Sequence, residues 1–295
     1  MKNKKCVLIL GVTGMLGSTV FRYLSLNENY SVFGAARNLE KISLFPTSLQ
    51  KKIFTTSIGI NNLLDLESIV LKIKPDIVIN CIGIIKQSPL SDSNKTAIEI
   101  NALLPHLIAE SISKYQSKLI HISTDCVFSG IKGGYREFDE SDARDIYGKS
   151  KFLGEISYGG HLTIRTSIIG HEMGSALSLL EWFLSQRKVD GYLRAIYSGV
   201  TTLELAKILE QYVLPAHEMR GLFHISSKPI SKFELLSIVN KVYQCGTQIM
   251  PENNFVIDRS LDSLFFQSMT GYKAKNWEQQ ILELYKFNQS NLLEK

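Results

Sequence analysis

Seven residues, Gly11-Val12-Thr13-Gly14-Met15-Leu16-Gly17, constrain this chain more than any other stretch. They follow a continuous apolar run at 6–10 and precede Leu16, Val20, Phe21 and Leu24, which recur at helical spacing. The order is strand, glycine turn, helix. The first glycine permits a tight turn, the second lets a pyrophosphate approach the backbone, and the third lets the helix pack close. The helix N-terminus adds N–H donors and a favourable dipole. Gly11, Thr13, Gly14, Met15, Leu16 and Gly17 are therefore the expected dinucleotide-binding residues.

The rhythm continues. Apolar strands are expected at 31–36, 76–82, 118–123 and 162–169, separated by a helix opened by Asp65 and another at about 98–115. Buried strands alternating with amphipathic helices predict an α/β fold, a Rossmann-type doubly wound parallel sheet covered on both faces. After residue 170 the pattern loosens into helices at 176–185, 203–212, 232–242 and 277–287, with short strands at 194–198 and 221–225. No linker separates the halves. Residues 1–170 read as the dinucleotide-binding domain and 171–295 as a smaller α/β substrate-binding lobe, interleaved with the first near 195–225. A ligand would lie beyond the carboxyl ends of the strands, where the candidate site residues fall.

Composition removes other classes. A net charge of +5 is scattered and gives no nucleic-acid surface. No apolar run reaches the ~18 residues that span a membrane. Residues 1–10 resemble a basic, apolar leader, but the run breaks at Gly11 without a cleavage site, so a buried first strand is expected. Cys6, Cys81, Cys126 and Cys245 have no C-x-x-C spacing, and the first three fall in runs that read as strands. They are expected as reduced thiols of a cytoplasmic protein, with no metal site.

Cofactor choice is set at the end of the second strand, about 20 residues beyond the last glycine, where a carboxylate would bond the ribose of NAD. Arg37 stands there, and no carboxylate follows until Glu40. A guanidinium suits a 2′-phosphate, which favours NADP(H) over NAD(H); the plainer alternative is a solvated surface charge. The strand at 118–123 leads into Thr124-Asp125-Cys126, and Tyr147-Gly148-Lys149-Ser150-Lys151 follows. Tyr147 and Lys151 are four apart and share one helix face. A neighbouring ammonium favours the phenolate, and moving a tyrosine from about 10 to about 7 needs about 4 kcal/mol. Such a residue can give a proton to a carbonyl oxygen. Asp125 is either a turn-former or a substrate contact. Cys126, without a recognisable His or Asn partner, reads as a pocket-lining thiol.

These residues resemble a family, the extended short-chain dehydrogenase/reductases, and within it the dTDP-4-dehydrorhamnose reductase-like branch. The matching pieces are GVTGMLG, PDIVINCIG, the helix-opening Asn101 with Pro105, HISTDCVFSG, YGKSKFLGE and LTIRTSIIG, followed by IYSGVTTLELAKIL, GLFHISSKPISKFELL and DRSLDS. The resemblance implies NADPH-dependent reduction of a 4-keto-6-deoxy sugar on a nucleoside diphosphate, with hydride delivered to C4, in the synthesis of surface polysaccharide precursors. It implies Thr124 on the keto oxygen, Tyr147 as the acid, and Lys151 on the nicotinamide ribose. Cys81, Ile82 and Gly83 would pass under the cofactor, Arg165 to Ser167 would border the nicotinamide pocket, and Arg259 would meet the substrate diphosphate. Lys86 would lie near the pocket mouth, and a homodimer is left open. Two departures stand out: Cys126 replaces the branch's tyrosine, and Asn61 or Asn62 stands where an adenine-contacting aspartate is usual. Cys126 also replaces the glutamate of a 4,6-dehydratase, which counts against dehydration. A nucleotide-sugar epimerase and a non-catalytic NADP-binding regulatory subunit are the competing functions.

Overall fold

The computed structural model describes residues 4–85, 93–174 and 177–293. Its main sheet has seven strands in the order β3-β2-β1-β4-β5-β6-β10. These are β1 (Lys5–Leu10), β2 (Tyr30–Ala36), β3 (Ile53–Thr55), β4 (Ile77–Asn80), β5 (Lys118–Thr124), β6 (Leu162–Thr166) and β10 (Gly221–His224). Every neighbouring pair is parallel. The continuous apolar runs are explained by burial on both faces. Val7 and Ile9 enter a core with the helices Met15–Ser25 and Thr202–Ile208, whereas Leu8 and Leu10 enter another with Leu64–Ile73 and Leu104–Ser113. That is the period-two alternation of a strand covered above and below.

A second, three-stranded sheet has the order β11-β8-β12, with β8 (Lys188–Tyr197), β11 (Ile230–Ser231) and β12 (Gln248–Asp258). Its core joins Val189 and Tyr197 to Leu235 and Val239 of the helix Lys232–Tyr243 and to Trp277 and Ile281 of the helix Trp277–Leu293. A two-stranded ribbon, β7 (Ile168–Ile169) with β9 (Val200–Thr201), ties this lobe to the main sheet. The chain crosses between lobes more than once, because β10 returns to lie beside β6.

Several elements differ from the expectation. The strand expected at 194–198 is the end of the ten-residue β8, whose alternating exposed residues hide it. The eleven-residue β12 carries Pro251, Asn253 and Asn254 and is mostly exposed, so its composition reads as loop. It persists because it pairs with β8 around a bulge between Glu252 and Val256. The helix expected at 176–185 is observed as Leu179–Leu184, residue 176 lying outside the described residues. Asn101 does not open its helix; it sits inside a π-helical segment, Ile98–Leu103, between two α-helical stretches. Of the three cysteines assigned to strands, only Cys6 is in one, since Cys81 follows β4 and Cys126 belongs to a short 3₁₀ turn.

Candidate active site

The carboxyl ends of the central strands face the smaller lobe across a cavity of about 640 Å³. One rim is the glycine turn. Gly11 has φ +79°, which favours glycine, and a Cβ there would crowd the backbone of Cys81 and Ile82 at 3.2 Å. A Cβ on Gly17 would overlap Gly11 O, which explains how the helix Met15–Ser25 starts so close to β1. Its N-cap, Gly14, carries no capping side chain. Among the described residues no side chain caps the first turn, and Gly14, Met15, Leu16, Cys81, Ile82 and Gly83 line the cavity. This cradle fits a pyridine dinucleotide laid across the strand ends.

The segment after β4 is held by Asn101, whose Oδ1 accepts from Ile84 N at 2.9 Å and whose Nδ2 donates to Ile84 O at 3.1 Å. Sequence gave Asn101 no such role. The signal available was an amide inside an apolar helical run, where a π-turn marks many functional sites.

Thr124, Tyr147 and Lys151 are brought together in the cavity wall. Thr124 ends β5; its Oγ1 accepts from Cys126 N at 3.1 Å and donates to Asp125 Oδ1 at 3.1 Å. Tyr147 and Lys151 lie on the helix Ile146–Leu153, capped by Asp145, which accepts from Gly148 N at 2.9 Å. A Cβ at Gly148 would overlap Cys126 O, so glycine lets the helix seat Tyr147 against the strand end. Lys151 Nζ donates to Ile122 O at 2.8 Å, with His121 Nε2 at 3.5 Å. Burial lowers Lys151 to about 8, opposed by the Glu155 carboxylate and then Cys81. Burial pushes the Tyr147 phenol above its ordinary value, Cys126 adds to this, and Thr124 works against it. The protein alone therefore keeps Tyr147 protonated, the form a proton donor requires. The main influences on Tyr147 do not include the lowering expected from Lys151, whose ammonium donates to Ile122 O.

Asp125, Cys126, Ser167 and Arg259 also line the cavity. Arg259 Nε donates to Phe128 O at 2.8 Å, and Nη1 is 3.8 Å from Cys126 Sγ. Burial raises the Cys126 thiol to about 12, reinforced by Asp125, so it is not an activated nucleophile. Arg165 is not brought to the cavity. Its guanidinium is 2% exposed and forms two 2.7 Å bonds to Glu155 beneath the Phe128 ring. Only its neighbours Thr166 and Ser167 reach the wall. Arg37 and Asn61 are exposed and lie outside the cavity walls, and Asn62 donates to Asp65 at 3.0 Å. Lys86 lies outside the described residues. From the smaller lobe come Tyr192, Tyr197, Lys232 and Phe255, none of which sequence singled out, because no periodicity or spacing marks them.

A doubly wound sheet with a glycine turn at its first crossover, and with Thr, Tyr and Lys meeting at its strand ends, defines an extended short-chain dehydrogenase/reductase. The family model described as "RmlD substrate binding domain" matches residues 4–286, and the chain belongs to that family. It is 27% identical over 254 residues to the spore coat polysaccharide biosynthesis protein SpsK of Bacillus subtilis, covering 84% of this chain and 79% of that one. It is 25% identical over 236 residues to a dTDP-4-dehydrorhamnose reductase of Aggregatibacter actinomycetemcomitans, covering 76% and 74%. A crystal structure of dTDP-4-dehydrorhamnose reductase from Bacillus anthracis in complex with NADP superposes with a TM-score of 0.78 at 22% identity, over 96% of this chain and 99% of that one. Among the described residues no helix is long and apolar enough to cross a membrane.

Proposed function

We propose that this chain is a cytoplasmic, NADPH-dependent reductase of a nucleoside-diphosphate 4-keto-6-deoxy sugar, acting in the supply of surface polysaccharide precursors. The observation that carries the reading is the convergence of Thr124, Tyr147 and Lys151 on a cavity whose opposite rim is the glycine turn. The name of the dTDP-4-dehydrorhamnose reductase supports the nucleotide-sugar substrate, and that of the spore coat polysaccharide biosynthesis protein supports the polysaccharide pathway. A reduced nicotinamide, when bound, supplies the hydride. Tyr147, held protonated by burial, gives its proton to the C4 oxygen, and the Thr124 hydroxyl orients that oxygen. Lys151, released from Ile122 O, bonds a ribose hydroxyl and stabilises the phenolate left on Tyr147. Arg259 meets the diphosphate, and Arg37, exposed after β2, meets the ribose 2′-phosphate.

The test is loss of reduced-nicotinamide absorbance with dTDP-, UDP- and GDP-linked 4-keto-6-deoxy sugars, NADPH and NADH compared. Turnover with one of them, faster with NADPH, is expected. Tyr147→Phe should lower kcat by about 10²–10⁴-fold while leaving NADPH affinity within a few-fold. Cofactor binding without turnover of any keto sugar would overturn the reading.

A further inference from the structure

A buried run of polar side chains stands behind Lys151. Asn80 ends β4 and His121 lies within β5; they are 1% and 0% exposed, and neither lines the cavity that Ile82, Ile122 and Lys151 line. Asn80 Oδ1 accepts from Ile82 N at 3.0 Å. A backbone N–H can only donate, so the amide oxygen is fixed there and Nδ2 is turned to His121 Nδ1, 3.2 Å away. Nδ2 also can only donate. His121 Nδ1 is therefore the accepting nitrogen, and the ring hydrogen sits on Nε2. Burial first, then Lys151 and His106, hold the imidazole well below its ordinary pKa, so it carries no second proton at neutral pH.

The Nε2 hydrogen faces Lys151. Nε2 is 3.5 Å from Nζ, and Nζ donates to Ile122 O at 2.8 Å. A neutral amine fits this position, since it donates one hydrogen to Ile122 O while its lone pair accepts from Nε2–H. An ammonium has no lone pair, so the His121 N–H then points at a cation. The other groups acting on Lys151 are Glu155, just past the end of its helix, and Cys81, after β4; both favour the ammonium, and burial, the largest influence, opposes it. Tyr147 stands one turn back on the same helix. The ammonium escapes the opposed N–H by turning into the cavity whose wall Lys151 already forms.

We propose that Asn80 and His121 are positioning residues for Lys151: Asn80 fixes the Nε2–H tautomer of His121, and that N–H holds the neutral amine on Ile122 O and turns the ammonium into the cavity. The same Asn80 amide ties down Ile82, so the segment after β4 and the position of Lys151 are set by one side chain. The destination of the ammonium, a ribose hydroxyl of the cofactor, rests on the reductase reading above.

The test is NMR of the full chain without cofactor or substrate, the His121 nitrogens assigned through bonds to their own backbone and Lys151 Cε by its loss in Lys151→Met. At pH 7 His121 should be neutral with its hydrogen on Nε2. In His121→Phe, which keeps a buried ring and removes the N–H, the titration of Lys151 should move up by about one pH unit, the size expected for losing a hydrogen bond that favoured the amine. The sign discriminates. An imidazole that accepted from Lys151 would favour the ammonium, and its removal would move the titration down; a ring that only filled space would leave it in place. Either result overturns the proposal, as does an Nδ1–H or doubly protonated His121 in the wild type. If His121→Phe does not fold, the wild-type tautomer still decides, because a ring with its hydrogen on Nδ1 leaves Nε2 to accept from the ammonium. The reductase reading fails separately, as no turnover of any keto sugar by a protein whose His121 and Lys151 behave as expected.

Discussion

Replacing Glu155 by glutamine removes the charge that holds Arg165 inside the protein. The pair is bidentate, its side chains are 2% and 8% exposed, and Glu155 also accepts from Ser123 Oγ at 2.7 Å. Breaking one partner of a buried pair leaves an uncompensated ion and costs about 3–5 kcal/mol; the glutamine amide still offers one acceptor, which puts the expected loss near 3 kcal/mol. For 295 residues the entropy of unfolding is about 0.6 kcal/mol per kelvin, so Tm should fall by about 5 °C in calorimetry. The joint variant Arg165→Met with Glu155→Leu replaces both ions by apolar groups of similar size and should recover most of the loss. A Glu155→Gln protein melting within about 1 °C of wild type would refute the reasoning, since the pair would then be solvated and Arg165 would be available to a ligand.

The same substitution bears on Lys151. With Lys151 at about 8, its ammonium is present below that pH and lost above it, so kcat/KM for the cofactor should fall as pH rises through about 8. Glu155 raises Lys151, so Glu155→Gln should move that descending limb to lower pH in the pH–rate profile. Gly148→Ala forces a methyl against Cys126 O and displaces Tyr147; a shift approaching 1 Å should lower kcat by about 10²-fold, read against cofactor affinity as the control. His224 is held at about 4, by burial first and then by Arg165. The unfolded chain therefore takes up that proton first, and stability should drop as pH falls from about 6.5 toward 4, by up to about 1.4 kcal/mol per pH unit from this group. Denaturant melts of His224→Asn should show a shallower acid slope.

What could be read along the chain was whatever local physics determines. Continuous apolar runs and the placement of Gly11, Gly14 and Gly17 led to the parallel sheet, because a strand buried on both faces leaves no other pattern. The i, i+4 spacing of Tyr147 and Lys151 led to one helix face, and the structure brings both to the cavity with Thr124. Arg165 shows the limit of the family resemblance, which implied a place beside the nicotinamide pocket. An arginine at the end of a buried strand resembles a pocket charge until its partner is known, and Glu155 lies beyond the range of any helical or strand repeat. The β12 strand was hidden for a related reason: its pairing with β8, and not its own Pro251, Asn253 and Asn254, makes it a strand.

The lobe side of the cavity was the least legible part because its residues arrive by crossings between lobes. β8 delivers Tyr197 and then turns through Ser198 and Gly199 into β9, which pairs with β7. Val200 N donates to Ser167 O at 2.9 Å, and a Cβ on Gly199 would overlap that carbonyl. Ser198 is fixed from two further directions, its carbonyl accepting from Ser227 N at 2.7 Å and its Oγ from Leu261 N at 2.8 Å. Tyr197 is consequently held beside Ser167 at the junction of the lobes, where these bonds join the segments that meet there. The main sheet carries Thr124 and the crossover carries Tyr197, so two residues of the cavity wall reach it from different elements that meet at this seam. Under the proposed reaction, substitutions in the seam that spare Thr124, Tyr147 and Lys151 should raise KM for the sugar before they lower kcat, which steady-state kinetics with wild type and variant would read, because they move the cavity wall and not the three proposed reacting groups.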